Sequence, residues 1–154
     1  MAKPRTVNQK FNQWRKAPAT KVETDDTQEE LIYLLKCGQL DALEELLKKY
    51  TNLAIPEEIV QKKMRDYLIL GEDIQVQKLT TISGYTPKEE IVQESLFLSL
   101  RREDLHRYQA LRSLYQVSPS LITLEKIKPI YYLRGKVKEY KQLLEGIASS
   151  LSSH

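Results

Sequence analysis

The sequence predicts an all-α fold: a short helical-repeat array of about four antiparallel helix pairs, preceded by a basic N-terminal arm. Three observations carry this. Apolar residues recur at helical spacing, no stretch alternates long enough for a strand, and the chain resembles itself about every 32 residues. With 154 residues, 41% hydrophobic and 29% charged, the chain can bury most of its apolar surface without staples.

Residues 1–26 read as an extended arm. They hold Pro4, Pro18 and the amides Asn8, Gln9, Asn12 and Gln13, with little apolar matter. Residues 1–22 carry six Lys or Arg and no acid, whereas the rest of the chain carries 18 bases against 21 acids. The net charge of +3 therefore joins a basic arm to a mildly acidic body. Within the arm, Val7, Phe11 and Trp14 fall at i, i+4 and i+7, one face of a short helix. Such a helix is marginal alone in water and is expected to form on docking.

Residues 27–149 are expected to form the repeat domain, with 150–154 as a tail. Thr24-Asp25-Asp26-Thr27 offers N-caps, and Glu29 and Glu30 suit the first turn of a helix. Leu31, Leu34 and Leu35 line that helix, Gly38 breaks it, and Leu40, Leu43, Leu46 and Leu47 line the next. Pro56-Glu57-Glu58-Ile59-Val60-Gln61 returns as Lys88-Glu89-Glu90-Ile91-Val92-Gln93, and Pro56, Pro87 and Pro119 stand 31 and 32 apart. The turns Gly38-Gln39-Leu40-Asp41, Gly71-Glu72-Asp73-Ile74, Arg102-Glu103-Asp104-Leu105 and Gly135-Lys136-Val137-Lys138 recur as well. Equating Leu40, Ile74, Leu105 and Val137 gives helix pairs at roughly 27–50, 56–83, 87–116 and 119–149. Gly84 reads as a left-handed C-cap. Thr86-Pro87 and Ser118-Pro119 read as a capping hydroxyl before a proline at the first helical position. Pro129 predicts a kink or a late start in the seventh helix.

The run from Leu31 to Leu47, with Gly38, Leu40, Asp41, Leu43, Leu46 and Leu47 at matching places, resembles an ankyrin repeat. The period is close to that family's as well. No unit opens with Thr-Pro-Leu-His, and the links between units are short and apolar for a β-hairpin finger. The resemblance thus implies a degenerate ankyrin-like array, whose usual role is binding protein partners.

Most catalytic chemistry lacks its raw materials here. Cys37 is the one cysteine, His106 and His154 are the two histidines, and no Gly-rich phosphate loop appears. No cofactor or metal is expected, and no enzymatic activity. Adjacent acids such as Glu57-Glu58 and Glu89-Glu90 point about 100° apart on a helix, so they do not converge on one substrate. Their place near helix starts is explained by capping and the dipole. His106 reads as a solvated turn residue, and Cys37 as a small buried apolar side chain. Among the nine tyrosines, Tyr33, Tyr67, Tyr131, Tyr108 and Tyr140 recur in phase, which points to packing between repeats before binding.

The expected function is a non-catalytic adaptor or assembly factor of a multi-subunit complex. Val7, Lys10, Phe11, Trp14, Arg15 and Lys16 are the expected partner contacts, because an aromatic pair in a basic polar segment suits a motif that folds on binding. The same chemistry can lie on an anionic membrane surface or serve as a transit peptide. A second reading makes the chain a nucleic-acid accessory protein, the arm and the strip Lys126, Lys128, Arg134, Lys136, Lys138 and Lys141 tracking phosphates. The body's net negative charge disfavours it. No apolar run reaches the roughly 18 residues of a membrane span and no signal pattern opens the sequence, so integral membrane association is not expected and the setting is cytoplasmic.

Overall fold

The structure is a computed structural model and describes residues 25–152. Among them are eight helices and no strand: α1 (Asp25–Cys37), α2 (Leu40–Lys49), α3 (Glu57–Leu70), α4 (Asp73–Ser83), α5 (Glu89–Arg101), α6 (Leu105–Tyr115), α7 (Leu121–Leu133) and α8 (Val137–Ser152). They form the expected four pairs, each joined by two or three residues. Links this short leave the chain no way forward except back along the preceding helix. α1 takes in Asp25 and Asp26, which the sequence reading assigns to the arm.

All four intra-pair turns use the same device. Within two residues of the end of α1, α3, α5 and α7 the chain enters the left-handed region, at Gly38 (φ 73°), Gly71 (77°), Glu103 (57°) and Gly135 (72°). The next backbone N–H then reaches five residues back: Gln39 to Leu34, Glu72 to Tyr67, Asp104 to Ser99 and Lys136 to Tyr131, at 2.8–2.9 Å. This satisfies carbonyls that the helix end would otherwise leave open. Three turns use glycine, which adopts this conformation without a Cβ clash. The fourth uses Glu103, whose side chain has other work.

The chain divides into two compact units. The first holds residues up to Asp66 and Asp73–Thr86. Leu31 and Leu35 of α1, one turn apart, are buried, as are Leu40, Leu43 and Leu46 of α2, and α2 packs on α4, whose Val76 and Leu79 are buried. The polar face of α2 stays in water, as the leucine stripe requires. The second unit holds Tyr67–Glu72 and the chain from Pro87. Here α5 packs on both α6 and α7, and α7 packs on α8. Leu96 and Leu100 of α5, Tyr108 and Leu111 of α6, Ile127 and Tyr131 of α7, and Tyr140 of α8 supply the core.

The buried positions keep repeat phase. Leu31, Met64, Leu96 and Ile127 are equivalent, as are Leu35, Leu68, Leu100 and Tyr131, and Leu43, Val76, Tyr108 and Tyr140. That register corrects one expectation. Asp73, not Ile74, opens α4 as Leu40 opens α2, and Ile74 is 83% exposed while Leu40 is 3% exposed.

A glutamine ties each of the first three pairs to the loop that follows it. Gln28 donates from Nε2 to the Ala54 carbonyl (2.6 Å) and accepts from the Ala54 N–H (3.3 Å). Gln61 donates to the Thr86 carbonyl (2.8 Å). Gln93 donates to the Ser118 carbonyl (2.8 Å) and accepts from the Ser120 N–H (2.9 Å). A side-chain amide has a donor and an acceptor side by side, so it can pair with an irregular backbone as another peptide would. Loops that cross a packed surface need such partners.

These clamps explain a second correction. Thr86 and Ser118 do not cap helices; their carbonyls receive the glutamines. The N-caps are Lys88, which makes no side-chain cap bond, and Ser120, which accepts from the Thr123 N–H. Gly84 does adopt the left-handed conformation (φ 81°) after α4, with its N–H bonded to the Thr80 carbonyl. α7 begins at Leu121 and runs through Pro129, so that proline marks no late start. Cys37 is exposed at the end of α1, contrary to the buried role expected for it: two residues past Leu35, it stands about 200° around the helix from that buried side chain.

Candidate interaction surface

Val7, Lys10, Phe11, Trp14, Arg15 and Lys16 lie outside the described residues, so the geometry of any contact surface comes from the helices. In the second unit α5 and α7 leave a groove of about 760 Å³ between them. Phe97 and Leu98 of α5 and Ile122 of α7 provide its apolar lining, and Glu89, Glu90 and Glu94 stand along α5. The clamp shapes its wall: Gln93 Oε1 also accepts from the Thr123 hydroxyl (2.8 Å), which fixes α7 against α5 at this point. Lys126 lies with its ammonium 6.0 Å from the Phe97 ring centroid. Ile122 is 65% exposed, and its neighbour Leu121 is exposed too.

The six basic residues of the expected strip are not equivalent. Lys126 and Lys128 are two residues apart on α7, about 200° around the helix, and Lys128 sits 5.5 Å from the Tyr132 ring centroid. Arg134 and Lys136 meet at the α7–α8 turn, where both pair with Glu103. Arg134 donates to Glu103 Oε2 (3.1 Å) and to the Arg101 carbonyl (2.7 Å). The bond from Lys136, opposed in part by desolvation and helped by Arg134, holds the Glu103 carboxyl below the usual 4.5. Glu103 thus occupies a left-handed position normally given to glycine because its carboxylate links consecutive turns of this unit. Lys138 and Lys141 are exposed on α8.

Eight of the ten exposed large apolar side chains among the described residues belong to the second unit, including Leu70, Leu105, Leu121, Ile122 and Leu133. Leu133, at the end of α7, is 89% exposed. Of these eight, Ile122 lines the groove beside Phe97 and Leu98.

The titratable groups point to packing chemistry. Burial pushes the Tyr108 and Tyr131 phenols above 10.0, with Arg112 opposing the shift at Tyr108. Tyr131 donates its hydroxyl to the Leu100 carbonyl (3.1 Å). Tyr67, Tyr108, Tyr131 and Tyr140 are buried, whereas Tyr33 is 61% exposed. His106 is exposed in the first turn of α6. No group of three His, Cys, Asp or Glu side chains among the described residues is placed to hold a metal ion. No helix among them is long and apolar enough to cross a membrane.

Sequence reasoning missed the glutamine clamps and the groove. The clamps were detectable, since Gln28, Gln61 and Gln93 stand 33 and 32 apart. The groove was not, because Phe97 and Ile122 meet only through the packing of α5 on α7. No protein-family model, curated protein or solved structure matches the chain.

Proposed function

We propose that this chain is a non-catalytic protein–protein interaction module, acting as an adaptor or assembly factor of a larger complex. The observation that carries the reading is that eight of the ten exposed large apolar side chains among the described residues belong to the second unit, where one of them, Ile122, lines a groove of about 760 Å³. The resemblance of the first pair to ankyrin repeats supports the same role. Val7, Phe11, Trp14 and Arg15 supply a second contact that orders on binding. Two modest contacts joined by a short tether hold a partner reversibly and more firmly than either alone. The reading carries a cytoplasmic setting, where the exposed Cys37 thiol stays reduced.

The test is a pull-down with the full chain, a chain starting at Glu23, and the Phe11→Ala/Trp14→Ala variant, each with and without nuclease. The expected result is a protein partner that survives nuclease and is depleted by the truncation and the double substitution alike. Loss of every captured partner on nuclease treatment would replace this reading with the nucleic-acid one.

A further inference from the structure

Within the second unit α7 stacks on α5, and the far face of α7 is left exposed. Buried positions recur at an offset of 31 from α5 to α7, as Leu96 with Ile127 and Leu100 with Tyr131 show. On α5, Glu90, Glu94, Phe97 and Leu98 line the groove against α7. Their counterparts on α7 are Leu121, Glu125, Lys128 and Pro129, and all four are exposed. Leu121 is 73% exposed, and Tyr132, one turn beyond Lys128, is 43% exposed. A terminal unit that meets only water needs a polar outer face. α7 is instead apolar on both sides, with Ile127 and Tyr131 buried on one and Leu121, Pro129 and Tyr132 open on the other. We propose that this face is the interface between two copies of the chain, α7 packing antiparallel on α7 about a two-fold axis.

Two features select a second copy as the occupant. The first is the missing clamp. Each earlier pair ties down the loop that follows it with Gln28, Gln61 or Gln93, but the counterpart of Gln93 on α7 is Leu124, which has no amide to hold a loop. The face is apolar like an internal stacking face, yet it is not equipped for a unit that follows in the same way. The second feature is charge. Leu121, Glu125, Lys128 and Tyr132 fall at i, i+4, i+7 and i+11, one stripe along the helix. With the axis level with Lys126 and Ile127, an antiparallel copy sets Glu125 of each chain opposite Lys128 of the other, and Leu121 opposite Tyr132. A patch that complements itself in this manner is what an isologous contact requires. A partner of one charge sign, acidic or basic, meets a like charge in the middle of the stripe. Lys128 holds its ammonium 5.5 Å from the Tyr132 ring centroid, which keeps that charge on the stripe. Ile122, Thr123 and Lys126 belong to the groove on the α5 side and take no part. The inference goes beyond the proposed function and does not rest on it: a paired module presents two helical bodies and two N-terminal segments.

The test is sedimentation equilibrium of the full chain over a range of concentrations. It is run on the wild type, Leu121→Asp, Glu125→Lys, Lys128→Glu and the double swap Glu125→Lys/Lys128→Glu. Far-UV circular dichroism checks that each keeps its helices; Leu121 opens α7, where an acid suits the helix dipole. The expected result is a reversible dimer that Leu121→Asp abolishes. Each single swap places two like-charge pairs across the axis and weakens the dimer by about tenfold. The double swap restores it, and so does mixing the two single-swap chains, whose charges are complementary to each other. A monomeric mass at every concentration up to about 1 mM overturns the proposal. So does a dimer that either Leu121→Asp or the single swaps leave intact, and so does a loss that the double swap fails to restore. An open series of larger oligomers assigns the face to a head-to-tail contact and overturns the two-fold pairing as well. A monomeric chain that still captures its protein partner in the pull-down leaves the proposed function standing while this inference falls.

Discussion

Replacing Gln93 with alanine removes the amide that serves three groups at once. Its Nε2 donates to the Ser118 carbonyl at 2.8 Å, and its Oε1 accepts from the Ser120 N–H at 2.9 Å and the Thr123 hydroxyl at 2.8 Å. All three bonds are partly buried, and Thr123 is a buried residue. At about 1 kcal/mol net per bond, the loss is about 3 kcal/mol. For a chain of this length that corresponds to a fall in Tm of about 6–12 °C. The equivalent Gln28 makes two bonds to Ala54, both exposed to competing water, and its replacement costs about 1 kcal/mol or less. Thermal and urea unfolding followed by circular dichroism give the global figure, and hydrogen exchange at the Ser120 amide gives the local one. A Gln93→Ala chain no less stable than Gln28→Ala, with Ser120 exchange unchanged, would refute the clamp reasoning.

Three other outcomes follow from the same geometry. Leu43→Ala, at a fully buried position of α2, costs about 2–5 kcal/mol in urea titration, while Ile74→Ala, exposed beside its turn, changes stability by less than about 0.5 kcal/mol. The Glu103 carboxyl titrates below 4.5, so its ion pairs stabilise the fold above that pH and weaken as pH falls; Lys136→Ala moves its NMR titration midpoint upward. Tyr108 keeps its proton when the unfolded chain ionises near 10, so stability falls as pH rises beyond 10, by up to about 1.4 kcal/mol per pH unit from this group, read by unfolding at successive pH values.

The helices were legible because burial imposes a period. Leu31 with Leu35, and Leu40 with Leu43 and Leu46, lie on one face whatever the neighbours are. Gly38, Gly71 and Gly135 marked the turns because a left-handed residue is needed there. Glu103 shows where that signal fails, since an ion pair to Arg134 and Lys136 outweighs the preference for glycine, and the turn was found only by its alignment with the others. Equating Ile74 with Leu40 failed by one position of register, since Asp73 and not Ile74 opens α4. Thr86 and Ser118 looked like caps because a hydroxyl before proline is a local signal, but a glutamine 25 residues upstream uses their carbonyls instead. The groove was hidden twice over. Its acids were explained by the dipole of α5, and its apolar walls come from two different helices.

The central claim is that the chain holds its partner by two joined contacts, the helical body and the N-terminal segment. It is tested most directly by titrating the partner recovered in the pull-down against three ligands: the full chain, the chain starting at Glu23, and the peptide of residues 1–22. Two joined contacts predict that the full chain binds more tightly than either piece by a factor of about 10²–10⁴, and that Phe11→Ala/Trp14→Ala reduces it to the affinity of the body alone. A chain starting at Glu23 that binds as tightly as the full chain would contradict the account.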